Sequence, residues 1–294
     1  MKLPYTRALV TGATGFVGRH LTRRLREDKL EVHTLASDIT DQAAVQSEVA
    51  EVKPQVIFHL AAYGTFGQEK DVPRMIDVNV AGTYHLLSAA VQAGCQAFVF
   101  AASAKEYAPS RVPIMEQNPL APWDDYAVTK AAAAFFCRLA TQKSELVVSV
   151  LRLSPVYGPG DAPARFVLTA VRAALEGTLF TISVGPLVRN FTYIDDVVEA
   201  FLAASVRSGE KYEEFNIAAA EAHSFEEVLA AIEGATGKNI SRVVAPYLGK
   251  GDDSWVLDSS KAERLLGWKP RVSLEEGMRR TVEWYQQEPN LRPG

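Results

Sequence analysis

The sequence predicts a doubly wound α/β fold, on three observations. Short, largely apolar runs recur through its first half: RALVT at 7–11, VIFHLAA at 56–62, AFVFAAS at 97–103 and LVVSVLRL at 146–153. Segments of helical length separate them. The first run ends in TGATGFVG, whose glycines Gly12, Gly15 and Gly18 stand three apart. Strands that are apolar on both faces belong to a parallel sheet covered on both sides, and alternation of strand and helix is how such a sheet is wound.

Each element follows from local pattern. The strand at 7–11 leads through the glycine turn into a helix at 16–28, then a strand at 30–35 and a helix at 41–52. The strand at 56–62 is followed by a helix at 73–93, the strand at 97–103 by a long Ala-rich helix at 124–143, and 146–153 is the next strand. After residue 154 the pattern changes. SPVYGPG is a turn-rich exit from the sheet, 163–176 is helical and 177–190 is polar. FTYIDD opens a helix at 195–207, with Asp195 or Asp196 as its expected cap. FNIA at 215–218 is one more short strand. A helix at 224–236, a strand near 240–244, a loop at 246–255 and helices at 259–266 and 273–287 complete the chain. Residues 1–154 and 191–218 are therefore expected to form the sheet domain. Residues 155–190 and 219–294 form a smaller mixed α/β lobe closing over its carboxyl edge.

Composition narrows the function classes. The chain has 294 residues, room for one large domain or two. Its net charge of −4 carries no basic stripe of the kind that nucleic acid or an anionic membrane demands. No uninterrupted apolar run reaches the ~20 residues that span a bilayer. Cys95 and Cys137 lie far apart, which suggests neither a zinc site nor a disulfide framework; both read as buried thiols. MKLPYTRALVTG runs directly into a strand and lacks a signal peptide's apolar stretch, so the expected setting is the cytoplasm.

The glycine turn points to a dinucleotide. Glycine permits the tight strand-to-helix turn and lets backbone approach a pyrophosphate, while the new helix presents unpaired N–H groups to the phosphates. Three glycines alone also fit an ordinary tight turn. Here they follow the first strand and open the first helix, which is the required context. Thr14, Phe16 and Val17 complete the expected cradle. A carboxylate near the end of the second strand usually receives the ribose 2′-OH of NAD. That place holds Leu35, Ala36 and Ser37, with Asp38 slightly late, and Arg19 lies one residue past the last glycine. The pattern leans towards NADP, with NAD possible.

DDYAVTK sets Tyr126 and Lys130 at i and i+4 on one helix face. A neighbouring ammonium favours the phenolate and lowers a tyrosine pKa that is ordinarily near 10. Ser103 ends the strand AFVFAAS, at the sheet edge where ligands bind. A tyrosine acid/base, a serine that bonds the same substrate oxygen and a lysine that tunes the tyrosine suffice for carbonyl/alcohol interconversion.

With those residues in place, the sequence resembles the extended short-chain dehydrogenase/reductase family, in particular its nucleotide-sugar epimerases, dehydratases and reductases. TGATGFVG, VIFHLAA, DVNVAGTYHLL, FVFAASAKEY, DDYAVTK, LRLSPVYGPG, RNFTYIDDVVEAF and LDSSKAERLLGWKP match its landmarks in order across nearly the whole chain. The resemblance implies Ser103, Tyr126 and Lys130 as catalytic residues and Asn79 as the residue that helps orient the lysine. It places Asp38 and Ile39 at the adenine and Leu60, Ala61 and Ala62 along the cofactor. Arg189 matches an arginine that contacts the diphosphate, with Arg165 in the same cleft. Tyr63, Thr65, Phe66 and Lys105 are further substrate candidates, although loop packing is the favoured use of the first three. Pro155 stands where many members have asparagine, and GKGDDSW lacks an arginine, for which Lys250 is the substitute. Dehydratases carry acidic residues just after the catalytic hydroxyl; Ala104 and Lys105 occupy those places, with Glu106 one step later, which argues against a 4,6-dehydratase. The short segment before Asp38 resembles several NADP(H)-using 4-ketosugar reductases. The favoured expectation is thus reduction of a 4-keto sugar nucleotide with Tyr126 as proton donor. A 4-epimerase is the alternative, and a non-catalytic NADP-binding sensor is the rival from another class. The resemblance also implies a homodimer through the helices at 73–93 and 124–143, where Ala131–Ala134 permits close helix approach but equally suits packing on the sheet.

Overall fold

The computed structural model describes residues 3–65, 69–110, 112–183, 187–245 and 254–288. Its first half alternates as the apolar runs predict: β1 (Arg7–Thr11), α1 (Phe16–Glu27), β2 (Glu31–Thr34), α2 (Gln42–Val52) and β3 (Val56–His59). Then come α3 (Val72–Met75), a π turn (Ile76–Ala81), α4 (Gly82–Gln92), β4 (Ala97–Ser103), a 3-10 turn (Ala104–Glu106), α5 (Asp125–Gln142) and β5 (Val147–Leu153). The second half contains β6 (Val156–Tyr157), α6 (Phe166–Glu176), β7 (Phe180–Ser183), β8 (Val188–Arg189), β9 (Thr192–Tyr193), α7 (Ile194–Ser205) and β10 (Tyr212–Ile217). It ends with β11 (His223–Ser224), α8 (Phe225–Thr236), β12 (Arg242–Ala245), α9 (Ser260–Leu266) and α10 (Leu274–Gln287).

Six strands pair in parallel in the order β10-β5-β4-β3-β1-β2. This is the doubly wound Rossmann-like sheet, and the strand order reverses beside β1. Alternate residues divide the core between its two faces. Leu9, Ile57, Phe98 and Val148 pack with Val45, Leu86 and Ala133 from α2, α4 and α5. Ala8, Val10, Phe58 and Leu151 face the other way, into a cluster that continues through α6 and α7 to Val228 and Met278 of α8 and α10. Burying both faces is why the strands read as continuous apolar runs.

Several expectations are corrected. β3 stops at His59: the Leu60 amide is shared between the Thr11 carbonyl and hydroxyl, and the Ala61 amide turns to that hydroxyl, each at 3.2 Å. FNIA belongs to a longer strand, β10, which pairs with β5 as the sixth strand of the main sheet. The polar stretch 177–190 contains β7, paired with β12, and β8, paired with β11. The helix expected at 73–93 is interrupted by the π turn that carries Asn79. Neither Asp195 nor Asp196 caps α7, whose N-cap is Tyr193. Asp196 instead accepts the backbone N–H groups of Arg271 and Val272, at 3.1 and 3.0 Å, and ties the C-terminal segment to α7. Both cysteines are buried and unbridged. Among the described residues no helix is long and apolar enough to cross a membrane, and no cluster of ligating side chains is placed to hold a metal.

Candidate active site

The glycine turn is shaped by contact with the next strand. Gly12 has φ +67, and a Cβ there would lie 2.7 Å from the Ala61 nitrogen. A Cβ on Gly18 would overlap the Gly12 carbonyl oxygen. Both positions therefore need glycine, and the space spared above the turn at the start of α1 fits a dinucleotide pyrophosphate.

Beneath this turn runs a chain of buried hydrogen bonds whose direction can be read. Thr11 Oγ1 accepts from Leu60 and Ala61, so its own proton goes to His59 Nδ1 at 2.7 Å. The Thr83 hydroxyl donates to the Asn79 carbonyl at 2.6 Å, so it accepts from His59 Nε2 at 2.8 Å. The imidazole is thereby neutral and protonated on Nε2. Burial, with the charge of Lys130 second, holds its pKa well below the usual histidine range. The Asn79 amide takes both backbone groups of Tyr63, each at 2.8 Å, and donates to Thr129 Oγ1 at 2.9 Å. Thr129 donates to the Tyr126 carbonyl. Asn79 thus reaches α5 through the neighbour of Lys130, with no bond to Lys130 itself among the described residues.

Ser103 and Tyr126 stand on neighbouring elements at the carboxyl edge, the end of β4 and the start of α5. Ser103 ends β4; its N–H donates to Glu106 at 2.9 Å, and its hydroxyl accepts from the Lys105 N–H at 3.3 Å. Tyr126 lies in the first turn of α5, capped by Asp124. Lys130 is 1% exposed, and its ammonium sits 4.0 Å from the Phe100 ring centroid. Burial pushes its pKa down to about 8, against an opposing pull from Glu106. The expected lowering of the tyrosine pKa is absent. Burial raises the Tyr126 pKa, Glu106 adds to the rise and Arg165 opposes it. Arg165 therefore stands within electrostatic reach of the phenol.

Glu106, one step late for an elimination base, is committed elsewhere. It is wholly buried and accepts from Arg152 Nε at 2.9 Å. Arg152 also bonds Glu214 at 2.6 Å and the Tyr107 hydroxyl at 3.1 Å. This ion network locks the ends of β4, β5 and β10 together. It was unreadable in sequence because Glu106, Arg152 and Glu214 share no spacing.

The mouth of the site is built from cations and tryptophans. Lys105 bonds Asp124 at 2.9 Å and lies 5.6 Å from the Trp123 ring. Trp123 packs on Trp255 with centroids 6.1 Å apart. Arg189 lies between Trp255, at 5.3 Å, and Phe225, at 5.7 Å. The two tryptophans, missed by sequence reasoning, thus place Lys105 and Arg189 on one rim. Tyr63 packs against Arg74. Asp38 closes its own turn by accepting from Thr40, and Ile39 is buried against Gly82. Arg19 donates to the Gly160 carbonyl. Phe66 and Lys250 lie outside the described residues.

The family model described as the NAD dependent epimerase/dehydratase family matches residues 8–218. The chain belongs to this family. A UDP-glucose 4-epimerase of Mycolicibacterium smegmatis is 33% identical, over 95% of this chain and 98% of its own length. The UDP-glucose 4-epimerase of Thermotoga maritima, solved with UDP-glucose, superposes with a TM-score of 0.89 at 28% identity, covering 96% of this chain and 99% of that one. MoeE5, solved with UDP-glucuronic acid and NAD, superposes with a TM-score of 0.87 at 29% identity over the same shares. The chain is accordingly an enzyme of the nucleotide-sugar epimerase/dehydratase family. The similar proteins named for a reaction include 4-epimerases and dTDP-D-glucose 4,6-dehydratases, and the neighbour with a dinucleotide holds NAD, so the expectation of a reductase gives way and the lean towards NADP gains nothing from them.

Proposed function

We propose that the chain interconverts C4 epimers of a nucleotide-diphosphate sugar, using a nicotinamide dinucleotide held at the glycine turn. The observation that carries this is the placement of Ser103 at the end of β4 and of Tyr126 and Lys130 on the first turns of α5, at the same carboxyl edge as Gly12, in a chain whose relatives include 4-epimerases. The bound dinucleotide supplies the acceptor and donor of hydride. Tyr126 exchanges a proton with the sugar hydroxyl, and Ser103 Oγ bonds the same oxygen through oxidation and return. Burial disfavours the Tyr126 phenolate, so its service as a base needs positive charge; Arg165 is within electrostatic reach and Lys130 stands one helical turn away on α5. Asn79 acts as a positioning residue through Thr129. Arg189, Arg165 and Lys105 receive the sugar nucleotide, at the lobe formed by 155–190 and 219–294. A dehydratase is disfavoured, since Ala104 and Lys105 offer no carboxylate and Glu106 is held by Arg152.

A net 4-keto reductase is the second reading, favoured by one feature. β2 is the outer strand of the sheet and passes through Leu35–Ser37 directly to the Asp38 turn, with no inserted segment there to retain the adenosine. Incubation with UDP-, GDP-, CDP- and dTDP-sugars separates the readings. Isomer interconversion at constant cofactor supports the epimerase; stoichiometric loss of reduced cofactor with a 4-keto sugar nucleotide supports the reductase; turnover of neither defeats both. In this reading the enzyme is a cytoplasmic homodimer. Ile76, Tyr84, Val128, Phe135 and Leu139 leave an apolar face exposed on the π turn, α4 and α5, and Phe135→Glu is expected to yield a monomer in light scattering.

A further inference from the structure

A cleft of about 630 Å³ runs from the glycine turn along the outer side of α1. Gly12, Ala13 and Thr14 line one end, Thr34 and Leu35 of the β2 edge another, and Arg19, Thr22, Arg23 and Arg26 the helix side. The four helix residues fall at i, i+3, i+4 and i+7, a single face. We infer that this cleft is a phosphate-recognising extension of the dinucleotide site and that the chain prefers the 2′-phosphorylated dinucleotide, NADP(H), over NAD(H). The inference rests on the dinucleotide reading above.

Three observations support it. The lining charge is strongly positive: three guanidinium groups face one carboxylate, Glu27, which lies 3.8 Å from Arg23. Arg26 has no ion-pair partner among the described residues. Secondly, Thr22 is 6% exposed and lines the cleft, yet its buried hydroxyl oxygen has no hydrogen-bond partner among the described residues. An orphaned buried hydroxyl is costly unless something supplies its partner. Thirdly, no carboxylate at the end of β2 lines the cleft to repel a phosphate. Glu48 approaches from α2, but its oxygens accept from the Ala36 and Ser37 amides and the Ser37 hydroxyl. A monoester dianion suits guanidinium forks, and a pyrophosphate at the glycine turn delivers the adenosine ribose to this side of the sheet. Arg19, expected at the 2′-phosphate, is tied to the Gly160 carbonyl, so Arg23 and Arg26 carry most of the recognition.

Fluorescence titration of the full chain with NADPH and NADH tests this, alone and in the Arg23→Ala/Arg26→Ala and Thr22→Val variants. The two arginines are exposed helix residues, so folding should survive, which circular dichroism checks. NADPH is expected to bind about tenfold or more tightly than NADH, and the double variant to bring the two within about threefold while leaving NADH affinity unchanged. Thr22→Val should weaken NADPH alone. Equal affinities in the wild type, tighter NADH, or a preference that survives the double variant overturns the inference while leaving the dinucleotide reading intact. Failure to bind either dinucleotide overturns both.

Discussion

The two ends of the proposed site are held in opposite ways. At the catalytic end Lys130, Glu106, Arg152 and Tyr107 are all at most 1% exposed, and hydrogen bonds or ring contacts fix each of them. At the adenosine end Arg19, Arg23 and Arg26 project from an exposed face of α1 beside the sheet's outer strand. Proton transfer requires reacting atoms held to a fraction of an ångström, which only a packed and fully bonded surround provides. Recognising a phosphate requires charge within reach, which long flexible side chains supply without a rigid frame. Substitutions at the first end should therefore alter rate or stability, and at the second only affinity.

The largest expected effect is on rate. Tyr126→Phe removes the proton carrier and should lower turnover by about 10²–10⁴-fold, with dinucleotide affinity within about twofold of wild type. Steady-state rates and cofactor titration on the same preparation check this. Retention of more than about a tenth of the activity would move proton transfer to another group, and full function would favour a sensor. The next effect is on stability. Arg152→Met leaves Glu106 buried without its cation, which costs about 3–5 kcal/mol. Arg26→Ala at the exposed end should stay within about 0.5 kcal/mol. Urea denaturation of both variants measures the contrast, and equal losses would erase it.

Legibility in the sequence followed the same division. The glycine turn, Ser103, Tyr126 and Lys130 were readable because strand and helix periodicity fixed their places relative to one sheet edge. The lysine's effect on the tyrosine was not. Spacing put the two on one helix face, but the pull of Glu106 on the phenol and the seat of the ammonium on Phe100 come from another element. The π turn at Ile76–Ala81 was hidden for a related reason: its sequence is ordinary helix, and Asn79's bonds to Tyr63 and Thr129 appear only once three elements meet. Arg19 stood out by its place beside the last glycine, but Arg23 and Arg26 did not, because nothing in the chain announces that β2 is an outer strand.

The last and smallest effect belongs to the loop where the two ends meet. Asp161 follows Gly160, the residue that holds Arg19, and feels Arg165 on the catalytic side. It is 7% exposed and accepts from the Ala162 N–H. Burial lifts its pKa from 3.8 to about 6, with both arginines opposing. Between those values the folded chain holds this proton more tightly than the unfolded chain. Its contribution to stability is therefore greatest below about pH 4 and is lost as pH rises towards 6, by about 3 kcal/mol at most. Asn at this position keeps the acceptor and removes the charge. From pH 4 to pH 7 the stability of Asp161→Asn relative to wild type should therefore rise, approaching that figure in urea denaturation at the two pH values. A difference independent of pH would mean that the carboxylate is as well solvated as an exposed one, and that the loop stands open between the two ends.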